Sequence, residues 1–210
     1  LMAVRSLLFE AHPLQNATLK RVFDRDFCRK LFDIQLAHIQ RVYDEVAQKK
    51  RVGFSRNNVV AVLTPHFVGP PHAPSVDTLR FSKTLMTEFG KTVVIIVTSL
   101  CSYDVDGAIV PGVKPRRNDD LIGADSVLYD GLSIPFLFCG DGVLSDVAVR
   151  QCLMAIDNLS PEMILCVGEP AAMAEPFHER SFSFIYPLGH GLPLVKKNYF
   201  HVYSDPSVEE

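Results

Sequence analysis

The sequence predicts an α/β fold: a doubly wound, mostly parallel sheet of Rossmann-like type, preceded by an N-terminal helical segment. Three observations predict it. Continuous, β-branched apolar runs (VVAVLT at 59–64, TVVIIVTSL at 92–100, MILCVG at 163–168) have the character of parallel strands covered by helices on both faces. Stretches with helical spacing of apolar residues separate these runs. Glycine and proline mark the joints between them.

From Thr18 to Lys50 one apolar stripe carries Phe23, Phe27, Leu31, Ile34, Val42 and Val46, with Phe32, Leu36, Ile39 and Tyr43 beside it. This predicts a long helix, or two, with a broad buried face, and makes His38 a packing residue rather than a ligand. A polar linker with Gly53 follows. After the first strand, Ser75 is the expected N-cap of a helix with Leu79, Leu85, Met86 and Phe89 on its apolar face and Gly90 at its C-terminal turn. The second strand completes a βαβ unit. Residues 101–125 hold no sustained period and read as a surface excursion. SVLYD (126–130) and SIPFLFC (133–139) read as short strands around Gly131, and Leu144, Ala148, Cys152, Ala155 and Leu159 as one helix face ended by Pro161. MILCVG, a short helix over 170–180 and the strand FSFIY at 182–186 close the pattern. The expected division is a helical extension over 1–57, the α/β domain over 58–203 and a flexible acidic tail over 204–210.

A chain of 210 residues suits one such core. A net charge of −3 gives no basic surface for nucleic acid or an acidic membrane. Five cysteines, odd in number and without a Cys-x-x-Cys pair, suggest neither a disulfide frame nor a zinc knuckle, so a reducing, cytoplasmic location is expected. The apolar start LMAVRSLLF is short for a signal sequence, and no run approaches the roughly 18 apolar residues of a membrane helix. Asn16-Ala-Thr18 and Asn158-Leu-Ser160 match the glycan acceptor pattern without a secretory context.

Three turns are candidate site segments. TPHFVGPPHAPS (64–75) leaves the carboxyl end of the first strand, where ligands of open α/β sheets sit. Pro65, Pro70, Pro71 and Pro74 stiffen it and would hold His66 and His72 in place, the two candidates for catalysis as general bases. The helix start near Ser75 offers amides to an anion. Spacing alone also fits a proline-shaped turn with exposed histidines, and zinc is disfavoured because no third ligand accompanies the pair. The second segment is Gly168-Glu-Pro-Ala-Ala172, with Glu169. The third is Pro187-Leu-Gly-His-Gly-Leu-Pro193, where glycines flank His190. Parallel strands would bring all three to one rim. Two other matches are weaker. Gly90-Lys91-Thr92 closes a helix where a P-loop must open one, and lacks the leading glycine. Gly140-Asp-Gly142-Val-Leu-Ser145 stands where a dinucleotide fingerprint is found but has Ser at the third position, so a plain strand-to-helix turn is favoured over NAD or flavin binding.

The run VVAVLTPHFVGPPHAPSVDTLRFSKTLMTEFGKTVVIIVTS, with MILCVGEPAAMAEPF and PLGHGLP, resembles the N-terminal, acceptor-side domain of GT-B type glycosyltransferases over about residues 58–195. The resemblance implies two Rossmann-like domains, with a sugar-nucleotide donor held mainly by the C-terminal one and the acceptor by the N-terminal one. Only one such domain fits here, so the chain is expected to be a fragment, inactive alone and binding no cofactor by itself. Carried over, Gly69 to Ser75 would face the donor phosphates, His66 or His72 would contact acceptor or phosphate, and Glu169 and His190 would line the rest of the rim. Gly69, His72, Ser75, Glu169 and His190 are the expected substrate-binding residues. No catalytic base is assigned, and inversion and retention both stay open. Two further readings stand beside this one: an NAD(P)-type oxidoreductase domain resting on Gly140, Gly142 and Ser145, and a non-catalytic module that forms a homodimer through helix 18–50.

Overall fold

The computed structural model describes residues 25–47, 53–69, 72–99, 119–121, 123–140, 145–168, 171–187, 195–197 and 199–201. Helix α1 spans Arg25–Val46, α2 Ala73–Thr87, α3 Asp146–Leu159 and α4 Ala171–Ala174. Strands β1 (Val59–Thr64), β2 (Thr92–Val97), β3 (Ser126–Tyr129), β4 (Leu132–Phe138), β5 (Met163–Val167), β6 (Phe182–Tyr186) and β7 (Tyr199–His201) form one sheet in the order β3-β4-β2-β1-β5-β6-β7. Every neighbouring pair is parallel except the β3–β4 hairpin. Numbered among themselves, the parallel strands run 3-2-1-4-5-6, the doubly wound order in which the chain reverses direction between the first strand and the fourth, here β1 and β5.

That order dictates where the helices lie. The crossover β1-α2-β2 moves one way across the sheet and β4-α3-β5 the other, so right-handed connections must put α2 and α3 on opposite faces. Two cores result. On one face α2 sends Leu79, Phe81, Leu85 and Met86 against Val60, Val62, Val93, Ile95, Ile134 and Leu165. On the other, α1, α3 and α4 cover Ala61, Leu63, Ile96, Ile164 and Cys166. Alternate residues of β1 thus serve alternate cores, as the strand period requires.

Helix α1 packs against α3 and α4, with Phe32, Ile39, Val42 and Tyr43 buried in their shared core. Of the stripe offered for a homodimer, Leu31, Val42 and Val46 are covered from within the chain, while Phe23 lies outside the described residues. Ile34, assigned to that stripe, is exposed, because the buried face runs through Leu31, Gln35, Ile39 and Val42. Half-buried His38 reaches across to α3, its Nε2 lying 3.0 Å from Asp146 Oδ1.

Capping chemistry sets the ends of α3. Ser145 accepts the Ala148 amide at 3.1 Å as N-cap, and Ser160 ends the helix in a left-handed conformation. In the β3–β4 hairpin Asp130 and Gly131 both take positive φ (48° and 78°), the backbone of a two-residue turn that matches strand twist. Helix α2 differs from expectation. It begins two residues before Ser75, with His72 as N-cap and proline in the first turn, where a missing amide costs nothing. Phe89 lies beyond the end of α2 and is exposed. Strand β2 stops at Val97, three residues short of the apolar run, since Ser99 turns to a φ of 56°. β7 was not expected from the sequence.

The sheet edge away from the helix-bearing turns of β1 and β5 is tied by charge. Arg180 Nη2 donates to Asp157 Oδ1 at 2.6 Å and to the Tyr43 hydroxyl at 2.8 Å, and its guanidinium lies over the Phe177 ring at 5.2 Å. Lys91 pairs with Glu162 nearby. A cavity of ≈ 390 Å³ opens at this edge, bordered by Phe54, Ser55, Pro161, Phe177 and Arg180. Among the described residues no helix is long and apolar enough to cross a membrane.

Glu175 is buried in the segment after α4, where its Oε1 accepts the Lys196 amide at 2.6 Å. Burial pushes its carboxyl above the usual range, against the opposing pull of that amide and of Lys197. An acid whose pKa is raised by folding binds its proton more tightly in the native state, so its contribution to stability declines as pH rises through the ordinary Glu pKa toward the raised one. The Glu175→Gln variant keeps an acceptor for Lys196 and removes the buried charge. It should melt higher than the parent at neutral pH, with the advantage disappearing below about pH 4, checked by thermal melts across pH.

Candidate functional site

The rim is built where β1 and β5 end. Registers Leu63↔Cys166 and Cys166↔Ile185 bring the carboxyl ends of β1, β5 and β6 level, so their outgoing turns leave by the same edge. Gly168, with φ of 87°, starts the turn after β5, and its amide donates to the Tyr186 carbonyl at 2.8 Å. Glu169 and His190 lie outside the described residues; only the strands leading to them are placed.

The turn after β1 is anchored first by burial. Phe67 is fully buried and meets Phe136 edge to face, ring centroids 5.1 Å apart. The contact ties the turn to β4. Gly69 takes a φ of 82° in a buried position, a backbone few other residues adopt, and its carbonyl accepts the His72 amide at 3.0 Å.

Ser75 is the knot. Its side chain is buried in the first turn of α2, where Oγ accepts the Val68 amide at 3.0 Å and the Gly69 amide at 3.3 Å. The same oxygen lies 3.0 Å from His72 Nδ1, and His72 Nε2 lies 3.2 Å from His66 Nε2. The two imidazoles are tilted by 49° with centroids 4.8 Å apart. The structure therefore brings together Gly69, Ser75, His66 and His72 in one network. Ser75 enters it as a buried side-chain tie inside the helix and not as the N-cap expected from the sequence.

Why small polar residues line this face of α2 follows from their hydroxyls. Thr78 Oγ1 donates to the Pro74 carbonyl at 2.8 Å, and Ser82 Oγ to that of Thr78 at 2.8 Å. Each satisfies its own polar group within the helix, and Ser75 does so through the loop amides, so all three can be buried against the sheet.

Sequence reasoning passed over the hydroxyls at the strand ends. Thr64, Thr98 and Ser99 are buried. Thr64 Oγ1 donates to the His66 carbonyl at 3.1 Å, the Thr98 amide to the Thr64 carbonyl at 2.9 Å, and Ser99 Oγ to the Cys139 carbonyl at 2.9 Å. These bonds join the ends of β1, β2 and β4. The available signal was polar residues closing apolar runs, in VLT and VTS. Ser99 holds a left-handed backbone that costs a non-glycine residue about 1–2 kcal/mol, as strained positions at ligand rims often do.

The glycine pair of the dinucleotide reading has a different place. Gly140 follows β4, which is separated from β1 by β2, and its amide donates to Gln151 Oε1 at 2.6 Å. Ser145 is occupied as the N-cap of α3. Gly142 lies outside the described residues. In this strand order a dinucleotide fingerprint belongs to the first βα turn, which here is the histidine turn. No cluster of three or more His, Cys, Asp or Glu that could hold a metal ion occurs among the described residues. Cys139, Cys152 and Cys166 are buried free thiols, and burial holds Cys166 far from its ionised form.

Because Phe67 pins the histidine turn to the sheet, Phe67→Ala should cost about 3–5 kcal/mol in urea unfolding and release the His66–His72 contact, seen as lost ring-to-ring NOEs between them. Comparison with protein-family models, with curated proteins and with solved structures gave no match.

Proposed function

We propose that this chain is the acceptor-side Rossmann-like domain of a GT-B type glycosyltransferase, supplying acceptor contacts and one wall of a sugar-nucleotide cleft. The observation that carries the reading is the position of the histidine turn beside the β5 turn, at the point where strand order reverses. Ligands of open α/β sheets occupy that crevice. A stiff turn with two imidazoles and a helix start suits the hydroxyls and phosphates of such ligands. His66 and His72 are the proposed contact residues, with Gly69 and Ser75 shaping the wall. Glu169 and His190 belong to the same proposal through the strands that lead to them. The donor would be held mainly by a second domain, so affinity of this chain alone is weak.

The oxidoreductase alternative receives less support, since prolines occupy the β1 turn where glycines would have to admit a pyrophosphate.

Amide chemical shifts of the labelled chain, titrated separately with UDP-glucose and with NAD, test the reading. UDP-glucose is expected to move Val68, Gly69, Ser75 and Gly168 in a saturable way, and the His66→Ala, His72→Ala double variant to weaken binding about tenfold, or ~1.4 kcal/mol, in the range of one strong hydrogen bond. Shifts centred on Gly140 and the start of α3, or a response to NAD alone, would replace this proposal with the dinucleotide one. Silence toward both at millimolar concentration would remove the sugar-nucleotide wall from the proposal.

A further inference from the structure

We infer that Ser75 is a positioning residue that fixes the tautomers of both histidines, so that the hydrogen-bond chain at the rim runs in one sense, from Ser75 to His72 to His66. A hydroxyl has one proton to give and two lone pairs to accept with. Both acceptor sites of Ser75 Oγ are taken by backbone amides, those of Val68 and Gly69. The contact at 3.0 Å with His72 Nδ1 must then use the hydroxyl proton, which makes Nδ1 an acceptor. His72 consequently carries its ring proton on Nε2. That nitrogen faces His66 Nε2 at 3.2 Å, so His66 Nε2 accepts and His66 bears its proton on Nδ1.

The opposite sense does not fit. It would put a proton on His72 Nδ1 and require Ser75 Oγ to accept three hydrogen bonds while its own proton went unused. A third ring proton has no place either, because it would set two N–H groups against each other at the His66–His72 contact or against the committed serine.

The inference deepens the proposed function and rests on it only in its consequence for a ligand. The two Nε2 atoms face each other and His66 Nδ1 is buried, so the pair in this state does not present a base to a sugar hydroxyl. Taking a proton at either Nε2 first requires the imidazoles to part. The histidines expected as general bases from the sequence alone are, on this geometry, a closed hydrogen-bonded pair, with Ser75 acting through His72 rather than on the ligand.

Ring nitrogen shifts in a long-range proton–nitrogen correlation spectrum of the labelled protein read the tautomers directly, at about pH 8 where ordinary imidazoles are neutral. We expect His72 as the Nε2–H tautomer and His66 as the Nδ1–H tautomer, each as a single species. A dominant Nδ1–H form of His72, or Nε2–H form of His66, overturns the assignment. Ser75→Ala should leave His72 a mixture of both tautomers, and Ser75→Thr, which keeps the hydroxyl, should restore one. An unchanged His72 in folded Ser75→Ala would show that Ser75 does not set it, and should that variant not fold, the parent spectrum decides alone. These spectra need no ligand, so a wrong tautomer and an absent UDP-glucose response are separate results.

Discussion

Parallel pairing of β1 with both β2 and β5 is the constraint from which the rest follows. A strand with parallel neighbours on each side must be left by a crossover in one direction and reached from the other by a second crossover. Right-handedness then sends α2 and α3 to opposite faces. The turns that follow β1 and β5 lead to α2 and to α4, and in open α/β sheets the ligand crevice forms between such turns. No side chain has to make that space. What the side chains decide is how the crevice is lined and how firmly the lining is held.

Stiffness at the rim comes from combining an apolar anchor with a saturated polar knot. Phe67 supplies the apolar part of the binding of the turn to the sheet, since burying an aromatic side chain is worth about 1.5–3 kcal/mol. Burial alone leaves backbone amides without water. Ser75 Oγ answers for those of Val68 and Gly69, and each would otherwise incur about 1–3 kcal/mol. The prolines contribute through the unfolded chain, which has fewer conformations to lose. A helix start that supplies its first hydroxyl to the loop before it, and not to its own amides, makes turn and helix one mechanical piece. Placement of the imidazoles is therefore coupled to placement of α2 on the sheet.

The parts legible in the sequence were those governed by local period. Runs such as VVAVLT and FSFIY became β1 and β6 with the expected bounds, because short segments rich in β-branched or aromatic residues suit a pleated, covered strand. Departures arose where tertiary context outweighed a local signal. Ser75 has the chemistry of an N-cap, but the helix starts earlier and the loop's amides claim its oxygen. Ile34 fits the apolar stripe of α1 by spacing, yet the neighbours that decide exposure, α3 and α4, are more than a hundred residues away in sequence. β7, three residues long, offers too short a period to read. For the site, the histidines and their turn were visible as punctuation after a strand. Their 3.2 Å contact was not, since it depends on the chain doubling back through Gly69.

Arg180, Asp157, Lys91 and Glu162 work at the edge where strands β1, β5 and β6 begin, and there buried or half-buried ion pairs hold the layers together. At the other edge, the described residues following β1 and β2 (65–69, 72–75, 98–99) include no Asp, Glu, Lys or Arg. Recognition by this described part of the edge would rest on hydroxyls and on the amides that begin α2. Such groups orient a phosphate or a sugar well but contribute modestly to affinity, because each exchanges a hydrogen bond with water for one with the ligand. A rim of this kind discriminates by geometry. It becomes a strong site only when another surface closes over it, excludes water and supplies the remaining contacts, which is the arrangement a cleft between two domains provides.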